Sequence, residues 1–134
     1  MDLITELEEA RAAEKDQAHF YRTLAAEAED RADEAMSERF NELHADEQHH
    51  VSRLTARLLE LGASLAELQP SDSSSARMDG WEAAASMRED AEVERYERLL
   101  QAEGVDAGTR ALLEEILDTE RHHATDLGGK WTQA

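Results

Sequence analysis

Apolar residues recur along the chain in steps of three and four, in four separate stripes, which predicts four amphipathic helices. The first stripe is Leu3, Leu7, Ala10, Glu14, Gln17, Tyr21, Leu24 and Ala28, and the second is Met36, Phe40, Leu43, Glu47, His50, Leu54, Leu58 and Leu61. The third is Met78, Trp81, Ala85, Glu89, Glu92, Tyr96 and Leu99; the fourth is Leu113, Ile116, Glu120, His123 and Leu127, with Trp131 beyond two glycines. Each stripe is apolar above and below and polar or ionisable at its middle. Polar side chains therefore stand where the core of a bundle belongs, and a solvated charged face does not explain that.

The interruptions set the bounds. Gly62–Asp79 holds the only proline, Pro70, and a serine run, while polar residues replace the stripe at Asp30-Arg31-Ala32-Asp33. Glu103-Gly104-Val105-Asp106 offers a glycine C-cap and an aspartate to N-cap the next helix, and Gly128-Gly129 frays the last one. Between these breaks Ala, Glu, Leu and Arg dominate. The expected fold is all-α, one domain over residues 1–134, with helices at about 2–30, 33–61, 79–103 and 107–128 and a linker over 62–78.

Glu14 lies 16 residues before position 30, and Glu47 lies 14 residues after Asp33. At about 1.5 Å of rise per residue, an antiparallel hairpin brings the two to nearly the same height. Glu89 and Glu120 are related in the same way across the Gly104 turn. Glu14 to Tyr21 and Glu89 to Tyr96 are both seven residues, so the chain reads as one hairpin duplicated. The linker is longer than the roughly 2–8 residues usual between neighbouring antiparallel helices. Extended at about 3.3 Å per residue it would run the length of a bundle, which favours a crossover joining parallel second and third helices over an idle loop.

Glu47-Gln48-His49-His50 and Glu120-Arg121-His122-His123 repeat one motif, Glu-x-x-His, in a chain with six histidines. Three residues on a helix is one turn, so the acid and the imidazole share a face. One copy is weak evidence; two copies, each matched by an inward glutamate on another helix, form the constellation of a four-helix dimetal carboxylate centre. Glu14, Glu47, Glu89, Glu92, Glu120, His50 and His123 meeting in one dry layer would cost several kcal/mol per unpaired ion, by order of magnitude about 3–5 each. Protonation relieves part of that cost. Two divalent cations relieve it more completely, and carboxylate with imidazole suits iron, manganese or zinc. The alternative is a hydrogen-bonded polar layer that fixes register. Tyr21 and Tyr96 sit at core positions, either bonded to a ligand carboxylate or simply packed, and Gln17 is placed to bond to a ligand. His49 and His122 follow the stripe by about 100° and are expected at the surface or a flank, as is His19. His44, one turn before Glu47, reads as an ordinary boundary histidine in preference to one beside the site.

Composition narrows the function classes. The 134 residues contain no cysteine, which excludes disulfides, thiolate zinc sites and iron–sulfur clusters. A formal charge of −18, with 32 acidic and 14 basic residues, disfavours nucleic acid and anionic membranes as partners. Most of that charge is a solvated acidic face. The charged, amphipathic opening is no signal peptide, and no apolar run approaches the roughly 18 residues of a membrane span, so a soluble cytoplasmic protein is expected.

At these motifs, and over nearly its whole length, the chain resembles the rubrerythrin and ferritin-like di-iron superfamily. The resemblance implies a ferritin-like four-helix bundle, two antiparallel hairpins joined by a long crossover. It further implies two iron ions, with Glu14 and Glu89 as terminal ligands, Glu47 and Glu120 bridging, and His50 and His123 binding one iron each. Glu89-x-x-Glu92 is similar to the rubrerythrin variant, whose extra carboxylate replaces a histidine as oxidation state changes, and Tyr21 and Tyr96 match that family's tyrosine pair. The implied activity is reduction of peroxide, oxidation of Fe(II), or both, with hydrogen peroxide, dioxygen or Fe(II) as reactants. With no cysteine for a rubredoxin-like module, an external electron donor is required. Gln48 stands where bacterioferritins carry their haem-binding methionine, so no haem is expected. A homodimer or higher homo-oligomer follows by analogy. Iron storage in a larger assembly, and a metal-free acidic interaction module, are the rival readings.

Overall fold

The computed structural model describes residues 2–71 and 76–127. Trp131, Gly128, Gly129 and the serines Ser73, Ser74 and Ser75 lie outside those residues. Four helices carry the fold: α1 Leu3–Asp30, α2 Glu34–Glu60, α3 Trp81–Gln101 and α4 Ala107–Leu127. The Asp2 side chain accepts from the Ile4 amide and Asp33 from the Met36 amide, each satisfying a donor that the first turn leaves open. At the end of α2 the Gly62 and Ala63 amides fold back onto the Leu59 and Leu58 carbonyls, with Gly62 at φ 82°. Ala32 closes α1 with the same pair of bonds at φ 58°, a left-handed conformation that an alanine adopts at a cost.

The third helix starts later than the periodicity predicts. Gly80, at φ 75°, is left-handed, so α3 begins at Trp81 rather than 79, and Met78 packs as a partly buried residue ahead of it. At the other end Ala102 is extended, which stops the helix at Gln101.

Side-chain contacts fix the directions. Glu14, Ala18 and Asn41 meet His50, His44 and Arg22, so α1 and α2 are antiparallel. Asp46 meets His123 and Arg53 meets Glu115, so α2 and α4 are antiparallel. Tyr21 meets Glu89 and Tyr96 meets Glu14, which makes α1 and α3 antiparallel as well. Helices α2 and α3 therefore run the same way, and the segment joining them must return along the bundle.

Its anchors are visible. The Ala66 amide donates to Glu8, the Ala66 carbonyl accepts from Arg11, the Gln69 carbonyl accepts from Lys15, and the Met78 amide donates to Glu27. These contacts climb α1 from its first turns to its last. This is the topology of a ferritin-like bundle.

Two apolar clusters fill the interior. One gathers Phe20, Leu24, Phe40, Trp81 and Leu127 near one end; the other gathers Leu7, Leu54, Leu58, Leu99 and Ile116 near the other. Phe40 and Trp81 meet edge-on at 4.9 Å between ring centres. The middle of every stripe, where the ionisable residues stand, lies between these clusters, so the layer is closed from above and below by hydrocarbon.

Candidate metal centre

Each helix supplies its part of the layer from a position forced by its stripe. Glu14, Glu47, Glu89 and Glu120 are fully buried, and His50 and His123 are each 4 % exposed. Their donor atoms form two quartets, Glu14–Glu47–His50–Glu120 and Glu47–Glu89–Glu120–His123, in each of which all four atoms lie within 4.8 Å of one another. Glu47 and Glu120 belong to both. His50 Nδ1 stands 3.3 Å from Glu14 Oε2 and 3.4 Å from Glu120 Oε1. His123 Nδ1 stands 3.2 Å from Glu47 Oε1, 3.6 Å from Glu89 Oε1 and 3.7 Å from Glu120 Oε1.

Around the quartets, other groups hold the ligating side chains in place. The Tyr21 hydroxyl donates to Glu89 Oε1 at 2.6 Å, and Gln17 Nε2 donates to the same oxygen at 3.0 Å. The Tyr96 hydroxyl donates to Glu14 Oε1 at 2.7 Å. The tyrosines therefore cross the site, each on the opposite half's glutamate, and both are bonded rather than merely packed. Burial first, and the carboxylate each one serves second, push both phenols well above 10 and keep them protonated. Asp46 takes the His123 Nε2–H at 2.8 Å, which fixes the ring and turns Nδ1 to the carboxylates.

The charges in this layer compete. Burial, reinforced by Glu14, Glu120 and Glu89, drives Glu47 well above the usual carboxylate range. Burial resists ionisation of Glu14 too, but the neighbouring Glu47, His50 and Tyr96 groups prevail and pull it down. Glu120 is raised to about 7, by burial first and then by Glu14 and Glu89, with the nearby His50 opposing. Burial opposes the charge on both imidazoles, yet Glu120 and Glu14 lift His50 to about 9, and Asp46 and Glu89 lift His123 to about 10. Protons thus occupy the layer when nothing else neutralises it.

Both oxygens of Glu47, both oxygens of Glu120, Glu89 Oε2 and His123 Nδ1 are buried and make no aligned hydrogen bond. Atoms of this kind cost free energy when left unmatched. Here they converge on the two quartets, and the set is carboxylate and imidazole without thiolate. The residues fit two divalent cations, and among them Glu47 and Glu120 are the ones placed to serve both.

Residues 4–132 match the ferritin-like domain family. The chain belongs to that family. No individually curated protein matches it. As a ferritin-like chain it has, among the described residues, five buried glutamates and two buried histidines at the mid-height of its four helices. Among the described residues no helix is long and apolar enough to cross a membrane.

Glu92 is the expected ligand that this ferritin-like bundle leaves outside both quartets. It is buried, at 6 % exposure, but its Oε2 lies toward Arg95 Nε at 4.0 Å. Burial first and Glu14 next raise it to about 8, with Arg95 working the other way. His49 and His122 are exposed, and His122 pairs with Asp126 at 3.3 Å. His44 is half-buried on the Ala18 carbonyl, and His19, expected at the surface, is half-buried as well. Asp46 and Arg88 went unread in the sequence. Asp46 is off the stripe and half exposed; only the antiparallel register of α2 and α4, which sets position 46 opposite 123, could have pointed to it.

Proposed function

We propose that this ferritin-like protein is a di-iron oxidoreductase, closest in chemistry to the rubrerythrins, that reduces hydrogen peroxide, oxidises Fe(II), or does both. The observation that carries the reading is the pair of quartets sharing Glu47 and Glu120. Glu14 and His50 would complete one iron position, Glu89 and His123 the other. Iron held there as two Fe(II) ions would supply one electron per ion, enough to reduce one hydrogen peroxide with two protons to two waters.

The protein's own part is positioning, dryness and proton supply. Tyr21 and Gln17 hold Glu89, Tyr96 holds Glu14, and Asp46 holds His123, which would orient these side chains for a metal. The apolar clusters above and below exclude bulk water and strengthen every charge interaction inside. Glu92, protonated near neutral pH and beside the quartets, is placed to give up a proton or to swing in as a replacement carboxylate. That feature favours a rubrerythrin-like peroxidase. The cycle needs an external electron donor, because the chain contains no cysteine-held redox centre.

Stopped-flow mixing of the anaerobically Fe(II)-loaded protein with hydrogen peroxide or dioxygen tests the reading. Fast oxidation by peroxide, lost in Glu47→Gln, is expected. Markedly faster reaction with dioxygen than with peroxide counts against the rubrerythrin-like assignment, and no reaction with either counts against the enzyme.

A further inference from the structure

At the site the two halves of the chain correspond residue by residue. Glu14 answers to Glu89, Gln17 to Glu92 and Tyr21 to Tyr96. In the same register Arg88 answers to Ala13, and Asp16 to Ala91. The Arg88–Asp16 pair therefore has no counterpart at the same positions of the other half, where Arg95 instead approaches Glu92 at 4.0 Å from the same helix.

Arg88 reaches from α3 across to α1. Its Nη1 lies 3.1 Å from Asp16 Oδ2 and 3.4 Å from Gln17 Oε1, and its guanidinium carbon lies 4.4 Å from the centre of the Phe20 ring. Gln17 is 2 % exposed, and its other end, Nε2, donates to Glu89 Oε1 at 3.0 Å. A buried amide fits either way round. One way it donates to the glutamate; turned over, it sets oxygen against oxygen. A guanidinium carries donors and no acceptor, so Arg88 at Oε1 selects the first orientation. With Gln17 and Tyr21 both on Oε1, Glu89 Oε2 is the oxygen left without a hydrogen bond.

We propose that Arg88 is a positioning residue for the metal position built on Glu89 and His123, acting through Gln17. The proposal rests on the reading of the layer as a dimetal site. Glu14 has no amide held by a cation in this way. Tyr96 alone donates to its Oε1, and the counterpart of Gln17 is the carboxyl of Glu92, which donates only when protonated. Loss of Arg88 should therefore weaken one metal position and spare the other.

Titration of the chelator-treated full chain with Co(II), followed by ligand-field absorption and calorimetry, tests this. Arg88→Met keeps an unbranched apolar stem and removes every donor, together with the guanidinium over Phe20. It should still bind two ions, with the affinity for one reduced about 10-fold or more and the other unchanged. Arg88→Lys should recover most of the loss. In a Gln17→Leu background, Arg88→Met should add almost nothing, because the amide it orients is gone; a merely structural arginine would weaken both positions in either background. Asp16→Ala, which loosens the guanidinium without touching α3, should weaken the same ion and covers the case in which Arg88→Met does not fold. Unchanged binding in Arg88→Met, equal loss at both positions, or full loss in the Gln17→Leu background overturns the proposal alone. A wild type that takes up no Co(II) overturns the dimetal reading and this proposal together.

Discussion

Replacing Glu92 with glutamine keeps the shape of a buried carboxyl and removes its proton equilibrium. In the folded chain that carboxyl is raised from 4.5 to about 8, by burial first and Glu14 second. The folded state holds the proton more tightly than the unfolded state. Its contribution to stability is therefore complete below about 4.5 and is lost as pH rises through about 8. At about 1.4 kcal/mol per pH unit, that interval corresponds to about 5 kcal/mol. Neighbouring carboxyls and imidazoles titrate with it, so a range of about 2–5 kcal/mol is expected. Glutamine does not titrate. In the metal-free protein Glu92→Gln should accordingly gain on the wild type by that amount as pH rises from 5 to 9. Urea unfolding of chelator-treated samples across this range measures the difference. The offset at pH 5 reflects how well the amide fits; the change with pH carries the reasoning. A difference constant within about 1 kcal/mol would refute the placement of Glu92 in a dry, acid-crowded layer.

Four further outcomes are expected. Tyr21→Phe and Tyr96→Phe each remove a hydroxyl bonded to a buried carboxylate at 2.6 or 2.7 Å, and each should cost about 1.5–3 kcal/mol of metal-free stability by urea unfolding. Phe40→Ala empties a fully buried position against Trp81, away from the quartets; it should cost about 3–5 kcal/mol by denaturation while leaving Co(II) stoichiometry unchanged. Ala32→Gly relieves the left-handed residue that closes α1 and should raise the melting temperature, with a gain of about 1 kcal/mol. Divalent metal at a hundredfold excess over Kd should stabilise the fold by about 2.7 kcal/mol per bound ion. At a fixed metal concentration the gain should grow between pH 6 and pH 8, because the ions displace protons from Glu47 and from Glu120, which is raised to about 7, and Kd falls.

Much of this architecture is legible in the sequence because one signal repeats at several levels. Glu-x-x-His on one helix face is a local fact, and its recurrence with Glu14 and Glu89 at matched distances from two turns turns it into a layer. The length of the segment between α2 and α3 favours parallel helices over an idle loop, and the anchors of that segment along α1 agree. What the pattern leaves out is handedness and reach. Gly80 falls inside the helix predicted from 79, yet its left-handed backbone delays α3 by two positions. Periodicity puts Glu92 on the inward face with Glu89, but periodicity carries no distance, and one turn suffices to leave it outside the quartets. Asp46 and Arg88 lie off the stripes, and their targets, His123 and Gln17, belong to other helices. Partnerships of that kind depend on the register between helices, which a single stripe does not encode.

Anomalous-difference crystallography at the iron edge, on crystals soaked anaerobically with Fe(II), bears most directly on the central claim. Two peaks are expected at mid-height of the bundle, one within ligand distance of Glu14 and His50, the other within ligand distance of Glu89 and His123, with Glu47 and Glu120 between them. Iron found only on the acidic surface, with the buried layer empty at saturating Fe(II), would contradict it.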